Sequence, residues 1–369
     1  MSLKQRREDE YFMQRAISLA WRGTGHVSPN PRVGCVLVKE GHIVAEGYHQ
    51  CYGSHHAEVE ALRKAGSSAQ GATAYVTLEP CSHWGKTPPC APQLVKAGLK
   101  RVVIGMKDPH DVVNGRGIRI LQDAGVPVEW GILEEECKWL NRGFIRRVRD
   151  GRPWVTLKTA STLDGRVAMQ NGESQWITGE SARTMAHLLR GEHDAIMIGV
   201  GTVLHDNPSL TVRYTSGKSP LRIILDTHLR TPLDAQILNG EGTVIIAGFS
   251  SKESKKAKEM GRRGKNVLFL PEKAGKVDLQ KVMCALTDLG VNMVLVEGGA
   301  TLTSSLLAEA LADEISLFIA PSFMGQGISA FEKFIIPSLQ ELIHVKLRSV
   351  TNVSGDLWVE GVLACSPAL

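Results

Sequence analysis

Residues 56–90 read HAEVEALRKAGSSAQGATAYVTLEPCSHWGKTPPC, and this stretch decides the first half of the chain. His56, Cys81 and Cys90 offer one imidazole and two thiolates to a tetrahedral zinc and leave its fourth position open. Three protein ligands and a water mark a catalytic zinc, whereas four protein ligands mark a structural one. The metal lowers the pKa of its water from about 15.7 to about 7, which makes hydroxide available at neutral pH. Glu58, two residues from the imidazole, is placed to shuttle protons and is not counted as a ligand. Eight residues separate Cys81 from Cys90, a departure from the Pro-Cys-x-x-Cys spacing known for such sites.

Around this stretch helix and strand alternate. Phe12, Ala16, Leu19 and Ala20 stand at helical spacing within residues 9–22. Residues 33–39 (VGCVLVK) read as a buried strand with 43–48 as its hairpin partner; 74–78, 101–106 and 126–130 are further strands. Residues 56–65 form a helix that Gly66 ends, and Pro88-Pro89 open another at Cys90. The pattern predicts a three-layer α/β/α domain. His56, Glu58 and Cys90 then lie in the first turns of two helices, and Cys81 ends a strand. Two positive helix ends face the metal, each favouring thiolate and hydroxide by roughly 0.3–1 kcal/mol.

The 369 residues exceed a usual single domain, so two are expected, 1–150 and 151–369, with the boundary at Asp150-Gly151-Arg152-Pro153. The net charge of +5 resides wholly in residues 1–150; it suits an anionic substrate such as a phosphate ester, or is an ordinary solvated surface, and is too weak for nucleic acid. The basic stretch 142–149 reads as a solvated helix face. The cysteine count is odd, seven, the start is polar, and no apolar run reaches the ~20 residues of a membrane span. A reducing cytoplasm is expected, with Cys35, Cys51, Cys137, Cys284 and Cys365 as packing residues.

In the second half strands are expected at 154–160, 195–199, 221–226, 244–247, 267–270, 293–296 and 315–320, with helices at 279–289 and 302–311 and a polar surface helix or loop at 250–265. This is another α/β domain. It lacks a G-x-G-x-x-G fingerprint. Two glycine turns, Gly199-Val200-Gly201-Thr202 and Glu297-Gly298-Gly299-Ala300-Thr301, suit backbone approach to a phosphate at a helix start or are plain strand-to-helix connections. The turn from Asp206 to Arg213 fits an anion-binding loop or an ordinary capped one.

These segments together resemble the bifunctional deaminase–reductase family of riboflavin biosynthesis. Pro29-Asn30-Pro31-Arg32-Val33-Gly34, Gly47-Tyr48-His49, His55-His56-Ala57-Glu58, Thr77-Leu78-Glu79-Pro80-Cys81-Ser82-His83 and Gly85-Lys86-Thr87-Pro88-Pro89-Cys90 are similar to its deaminase half. Ser161 to Arg166, Trp176 to Gly179, Arg183 with His187 and Arg190, Asp194 to Thr202, Asp206 to Arg213 and Glu297 to Leu302 are similar to its reductase half. The resemblance implies a cytidine-deaminase-like first domain and a dihydrofolate-reductase-like second domain that uses NADPH. It makes His56, Cys81 and Cys90 the zinc ligands and Glu58 the catalytic proton carrier. It puts NADPH at Ala160, Trp176, Thr202, Asp206, Thr227, Gly299, Ala300, Thr301, Leu302, Thr303, Ser304 and Ser305. Ser174, Arg190, Leu210, Arg213 and Glu297 fall where the family holds its ribosyl phosphate substrate. It also implies small pyrimidine ribosyl phosphates as substrates, no nucleic acid or membrane partner, and a homo-oligomer, dimer or tetramer. Trp84 stands where His or Tyr is expected, and residues 110–114 replace a more proline-rich loop. Two other classes fit the metal motif alone: a single-function nucleobase or nucleoside deaminase with an accessory domain, and an editing deaminase guided by a nucleic-acid-binding second half. The balanced charge of the second half disfavours the latter.

Overall fold

The computed structural model describes residues 2–110, 114–215, 217–332, 334–364 and 366. The chain divides into two compact units, the first Met1–Gly151 and the second from Arg152 onward. Each has its own sheet.

In the first unit, α1 (Leu3–Ala20) precedes the hairpin β1 (Gly34–Lys39) and β2 (His42–Tyr48). There follow α2 (Ala57–Ala65), β3 (Thr73–Leu78), α3 (Cys90–Lys96), β4 (Arg101–Met106), α4 (Arg116–Asp123), β5 (Val128–Trp130), α5 (Glu134–Leu140) and α6 (Arg142–Asp150). The sheet order is β2-β1-β3-β4-β5, with β1 antiparallel to both neighbours and β3, β4 and β5 parallel. The apolar runs do not alternate with polar residues because helices cover both faces. Along β1, Cys35 and Leu37 enter one core cluster and Val36 and Val38 the other; β3 and β4 divide their side chains in the same way. This is the expected three-layer arrangement. Burying each such aliphatic side chain stabilises the unit by about 1.5–3 kcal/mol. The first helix starts six residues earlier than its apolar spacing indicates, because the Ser2 hydroxyl caps it by accepting from Gln5 N at 3.2 Å.

The basic stretch in α6 is not a solvated face. Arg142 and Arg146 are buried. The Arg142 guanidinium lies 4.1 Å from the Trp139 ring and donates from Nη1 to Trp139 O at 3.1 Å, and Arg146 donates to Asp150 Oδ2 at 2.6 Å, so the stems of both are buried while their heads find polar or aromatic partners. The cysteines also differ from expectation. Cys35 and Cys137 are packing residues, but Cys51 and Cys284 are exposed, on a turn and on a helix surface that no core element covers; Cys365 lies outside the described residues.

In the second unit the elements are β6 (Trp154–Thr162), β7 (Arg166–Met169), α7 (Glu180–Glu192), β8 (Ala195–Gly199), α8 (Val200–Asp206), β9 (Leu221–Leu225), β10 (Thr243–Gly248), α9 (Lys255–Arg262) and β11 (Asn266–Leu270). Then come β12 (Glu272–Lys273), β13 (Lys276–Val277), α10 (Leu279–Asp288), β14 (Met293–Val296), α11 (Ala300–Ala308), β15 (Glu314–Ala320), β16 (Gly327–Ser329), β17 (Val345–Val353) and β18 (Asp356–Leu363). The main sheet runs β11-β10-β9-β8-β14-β6-β15-β18-β17, parallel from β11 to β15 and antiparallel for the last two strands. On β8, Ala195 and Met197 face one core cluster and Ile196 and Ile198 the other, so this sheet is also covered on both sides. The adjacent strands β8 and β14 each lead into a helix, β8 directly and β14 through residues 297–299, with Gly199 and Gly299 at the N-cap positions. Among the described residues no helix is long and apolar enough to cross a membrane.

Candidate active sites

In the first unit, His56 is the N-cap of α2, Glu58 sits in its first turn, and Cys90 is the first residue of α3. Cys81 lies three residues beyond the end of β3, in the connection and not on the strand itself. Gly47 sets the position of α2. A methyl group there would overlap the Ala57 carbonyl oxygen, so only glycine lets β2 lie directly against the start of the helix. The His56 Nδ1 atom stands 3.5 Å from Cys81 Sγ and 3.3 Å from Cys90 Sγ. Bond lengths of about 2.0 Å to nitrogen and about 2.3 Å to sulfur at tetrahedral angles require a nitrogen–sulfur separation of about 3.5 Å, so the donor set fits zinc. These three residues form the one group of potential metal ligands among the described residues. Cys90 N donates to Cys81 Sγ at 3.2 Å, and hydrogen bonding from Cys90 and His56 holds the Cys81 thiol well below its usual pKa.

Glu58 is buried, and burial, with the Cys81 thiolate beside it, pushes its carboxyl up to about 7. A carboxyl poised there is suited to take and return a proton at neutral pH. The His49 ring meets the His56 ring edge-on at 5.4 Å between centroids. His49 Nδ1 is 3.0 Å from the His55 carbonyl and Nε2 is 3.1 Å from Asn30 Nδ2, a pairing that one neutral tautomer satisfies; burial lowers the pKa of this histidine. The cavity over these groups measures about 390 Å³ and is also lined by Lys86, Asp108, His110 and Phe144. Burial raises the Asp108 carboxyl to about 6. Lys86 stands 3.9 Å from the Tyr52 ring. Asn30, His49 and Lys86 lie in motifs that the sequence singles out, but no spacing rule marks them as cavity residues. Trp84 is exposed, and of the altered loop at 110–114, residues 111–113 lie outside the described residues.

In the second unit, Trp176, Arg190, Arg213 and Glu297 meet at a cavity of about 190 Å³, together with Lys158, Arg183, His187 and Tyr214. Glu297 follows β14 and is 9% exposed. Burial alone would raise its pKa; Arg190 and Lys158 outweigh that and hold it at about 2. Lys158 Nζ is 3.7 Å from Glu297 Oε2. Helix α7 projects Arg183, His187 and Arg190 into the cavity at helical spacing. The Arg183 guanidinium lies 4.5 Å from the exposed Trp176 ring. Arg213 is exposed, and its Nη1 donates to Ser209 Oγ and Thr211 Oγ1.

The other expected residues are dispersed. Ser174 does not line this cavity, and the Leu210 side chain is in the apolar core. Ala160 is half-buried on β6, Thr202 is in the first turn of α8, and Asp206 ends that helix, exposed. The Thr227 hydroxyl accepts from Val277 N at 3.1 Å. Of the seven consecutive residues around the start of α11, Gly299 and Thr301 are exposed and Ala300 and Ser305 half-buried. Leu302, Thr303 and Ser304 face inward, as helical periodicity requires. A Cβ on Gly299 would lie 3.9 Å from Thr202 Oγ1, so the two glycine turns adjoin, and Gly199 and Gly201 have open space where a side chain would stand.

Residues 6–106 match the cytidine and deoxycytidylate deaminase zinc-binding region, and residues 153–359 match the RibD C-terminal domain. The chain is 43% identical to the riboflavin biosynthesis protein RibD of Aquifex aeolicus over 95% of its own length and 97% of the relative's. It superposes on Acinetobacter baumannii RibD with a TM-score of 0.88 at 40% identity, covering 97% of this chain and 99% of that one. It superposes with a TM-score of 0.87 at 36% identity on a diaminohydroxyphosphoribosylaminopyrimidine deaminase/5-amino-6-(5-phosphoribosylamino)uracil reductase of Thermotoga maritima, covering 98% of this chain and 100% of that chain. With a candidate metal-ligand cluster inside a deaminase-family match in one unit and a reductase-family match over the other, the chain belongs to the RibD family of riboflavin-biosynthesis proteins.

Proposed function

We propose that residues 1–150 hydrolytically deaminate 2,5-diamino-6-ribosylamino-4(3H)-pyrimidinone 5′-phosphate. Residues 151–369 then use NADPH to reduce the ribosyl group of 5-amino-6-(5-phosphoribosylamino)uracil to ribityl. The observation that carries this reading is the meeting of His56, Cys81 and Cys90 around the buried Glu58, on the same chain as the reductase-family match. His56, Cys81 and Cys90 hold zinc, which when bound supplies Lewis acidity and a water of lowered pKa. Glu58 accepts one proton of the attacking water at its carboxylate and delivers it to the pyrimidine ring, then accepts the second, from the added hydroxyl, and delivers that one to the departing amine. Such positioned transfer contributes about 10²–10⁴-fold.

In the second unit NADPH supplies the hydride when bound. The glycine turns at Gly199 and Gly299 leave backbone room for its phosphates, and Trp176 offers a flat exposed face beside the cavity. Arg213 is the most accessible cation for the substrate phosphate, and Arg190 contributes chiefly by holding Glu297. A homo-oligomer, dimer or tetramer, acting in the cytoplasm belongs to the same proposal. The test is to supply the diaminopyrimidine ribosyl phosphate and follow ammonia release and NADPH absorbance in sequence. Ammonia without any NADPH oxidation would favour the single-function deaminase, and neither signal would remove the reading.

A further inference from the structure

Glu79 is buried in the wall of the deaminase cavity, yet it belongs neither to the ligand set nor to the proton path. Its carboxylate accepts four backbone N–H bonds. Oε2 takes Asp108 N at 3.3 Å and Gly115 N at 3.0 Å; Oε1 takes Gly117 N at 3.0 Å and Ile118 N at 3.3 Å. An ionised carboxylate has about four lone-pair positions, so none remains for a substrate proton. Glu58 carries out proton transfer in the same cavity; Glu79 does something else.

Its partners show what that is. Gly115 is the N-cap of α4 and has no side chain to cap its own helix, so Glu79 caps it from another part of the chain. Next to it, Gly117 rests on the Pro80 carbonyl oxygen so closely that a methyl group would overlap it. At the other end, Asp108 and His110 line the cavity, with His110 N donating to Asp108 Oδ1 at 2.8 Å. Glu79 N itself donates to Met106 O at 3.0 Å. One side chain therefore holds both Asp108, on the cavity wall, and the first turn of α4 from Gly115 to Ile118.

We propose that Glu79 is a positioning residue for the deaminase reaction. It fixes the Asp108–His110 side of the cavity relative to the metal ligands and so sets substrate binding. This rests on the deaminase reading of the cavity.

The test uses Glu79→Gln in the full-length protein. The amide keeps the volume, offers one acceptor oxygen and turns an NH₂ group toward two N–H donors. The KM for the diaminopyrimidine ribosyl phosphate should rise about ten-fold or more, because small misplacements of a substrate-positioning group have effects of that order. Zinc per chain should match wild type, and kcat should change less than KM. NADPH oxidation on the deaminated substrate should be unchanged, an internal control for folding of the other unit. A KM unchanged in the variant overturns the proposal and leaves Glu79 merely structural. Loss of zinc also overturns it, since the residue would then act through Cys81. Should the variant fail to accumulate, hydrogen exchange of the wild type decides: slow amides at Gly115, Gly117 and Ile118 that are further protected by bound product support the proposal, and fast exchange there overturns it. A wild-type protein that oxidises NADPH but releases no ammonia removes the deaminase reading instead.

Discussion

Arg190 grips Glu297 at two points, Nε to Oε1 at 2.6 Å and Nη2 to Oε2 at 2.9 Å. Its Nη1 contacts Thr211 O and His187 Nε2, both at 3.3 Å. A guanidinium has five N–H donors, so most are committed before any substrate arrives. Arg213, on the same cavity, is exposed, and among the described residues its side-chain bonds run from Nη1 to Ser209 and Thr211.

Arg213→Ala should therefore raise the KM for the phosphorylated reductase substrate about ten- to a hundred-fold, the range for losing a charge-assisted hydrogen bond. Its kcat should change little, and ammonia release by the first unit should be untouched. Steady-state NADPH oxidation at varied substrate concentration measures the split. A fall in kcat at constant KM would contradict this role.

Glu297→Gln should cost the second unit about 3–5 kcal/mol, because Arg190 and Lys158 lose the carboxylate that balances them in a buried site. The wild-type carboxylate titrates near 2, below its usual 4.5. Its stabilisation is complete above pH 4.5 and declines as pH falls toward 2. Chemical denaturation at several acid pH values should show that decline in wild type and not in the variant.

His187 contributes in a different window. Burial first, then Arg190 and Arg213, lowers its pKa from the usual 6.5 to about 4; Lys158 adds to this and Glu297 opposes it. Between these values the unfolded chain binds a proton that the folded one refuses, so stability declines as pH falls from 6.5 to 4. His187 Nδ1 also accepts from Arg213 N at 3.0 Å, and its ring packs on Tyr214. His187→Asn should flatten the slope in that window, as thermal melts across it would reveal.

Cys81→Ala and Cys90→Ala should lose bound zinc, whereas Glu58→Gln should retain it and lose ammonia release by about 10²–10⁴-fold. Elemental analysis alongside an ammonia assay separates the two outcomes. Deamination by Glu58→Gln at the wild-type rate would remove its assigned role.

The meeting of His56, Cys81 and Cys90 was legible because the three lie in one short stretch and their chemistry is restrictive. The strands were legible wherever a covered sheet demanded continuous apolar runs, as in β1 and β8. The cavity of the second unit was only partly so. Lys158, His187 and Glu297 come from three elements far apart in sequence, and nothing local records that β6, α7 and β14 bring them together. The run from Gly299 to Ser305 shows the opposite failure, since a linear motif carries its inward-facing members along with the exposed ones. Arg142 and Arg146 were misread because a charge run does not say which way its stems lie.

Gly47 and Gly117 contact no ligand, yet each presses bare backbone onto the segment that carries a reactive group. In a saturation-mutagenesis map of ammonia release they would register as intolerant as the cysteines, for lack of room alone. Metal content and the sensitivity of both reactions, compared position by position, would sort such spacing requirements from chemistry.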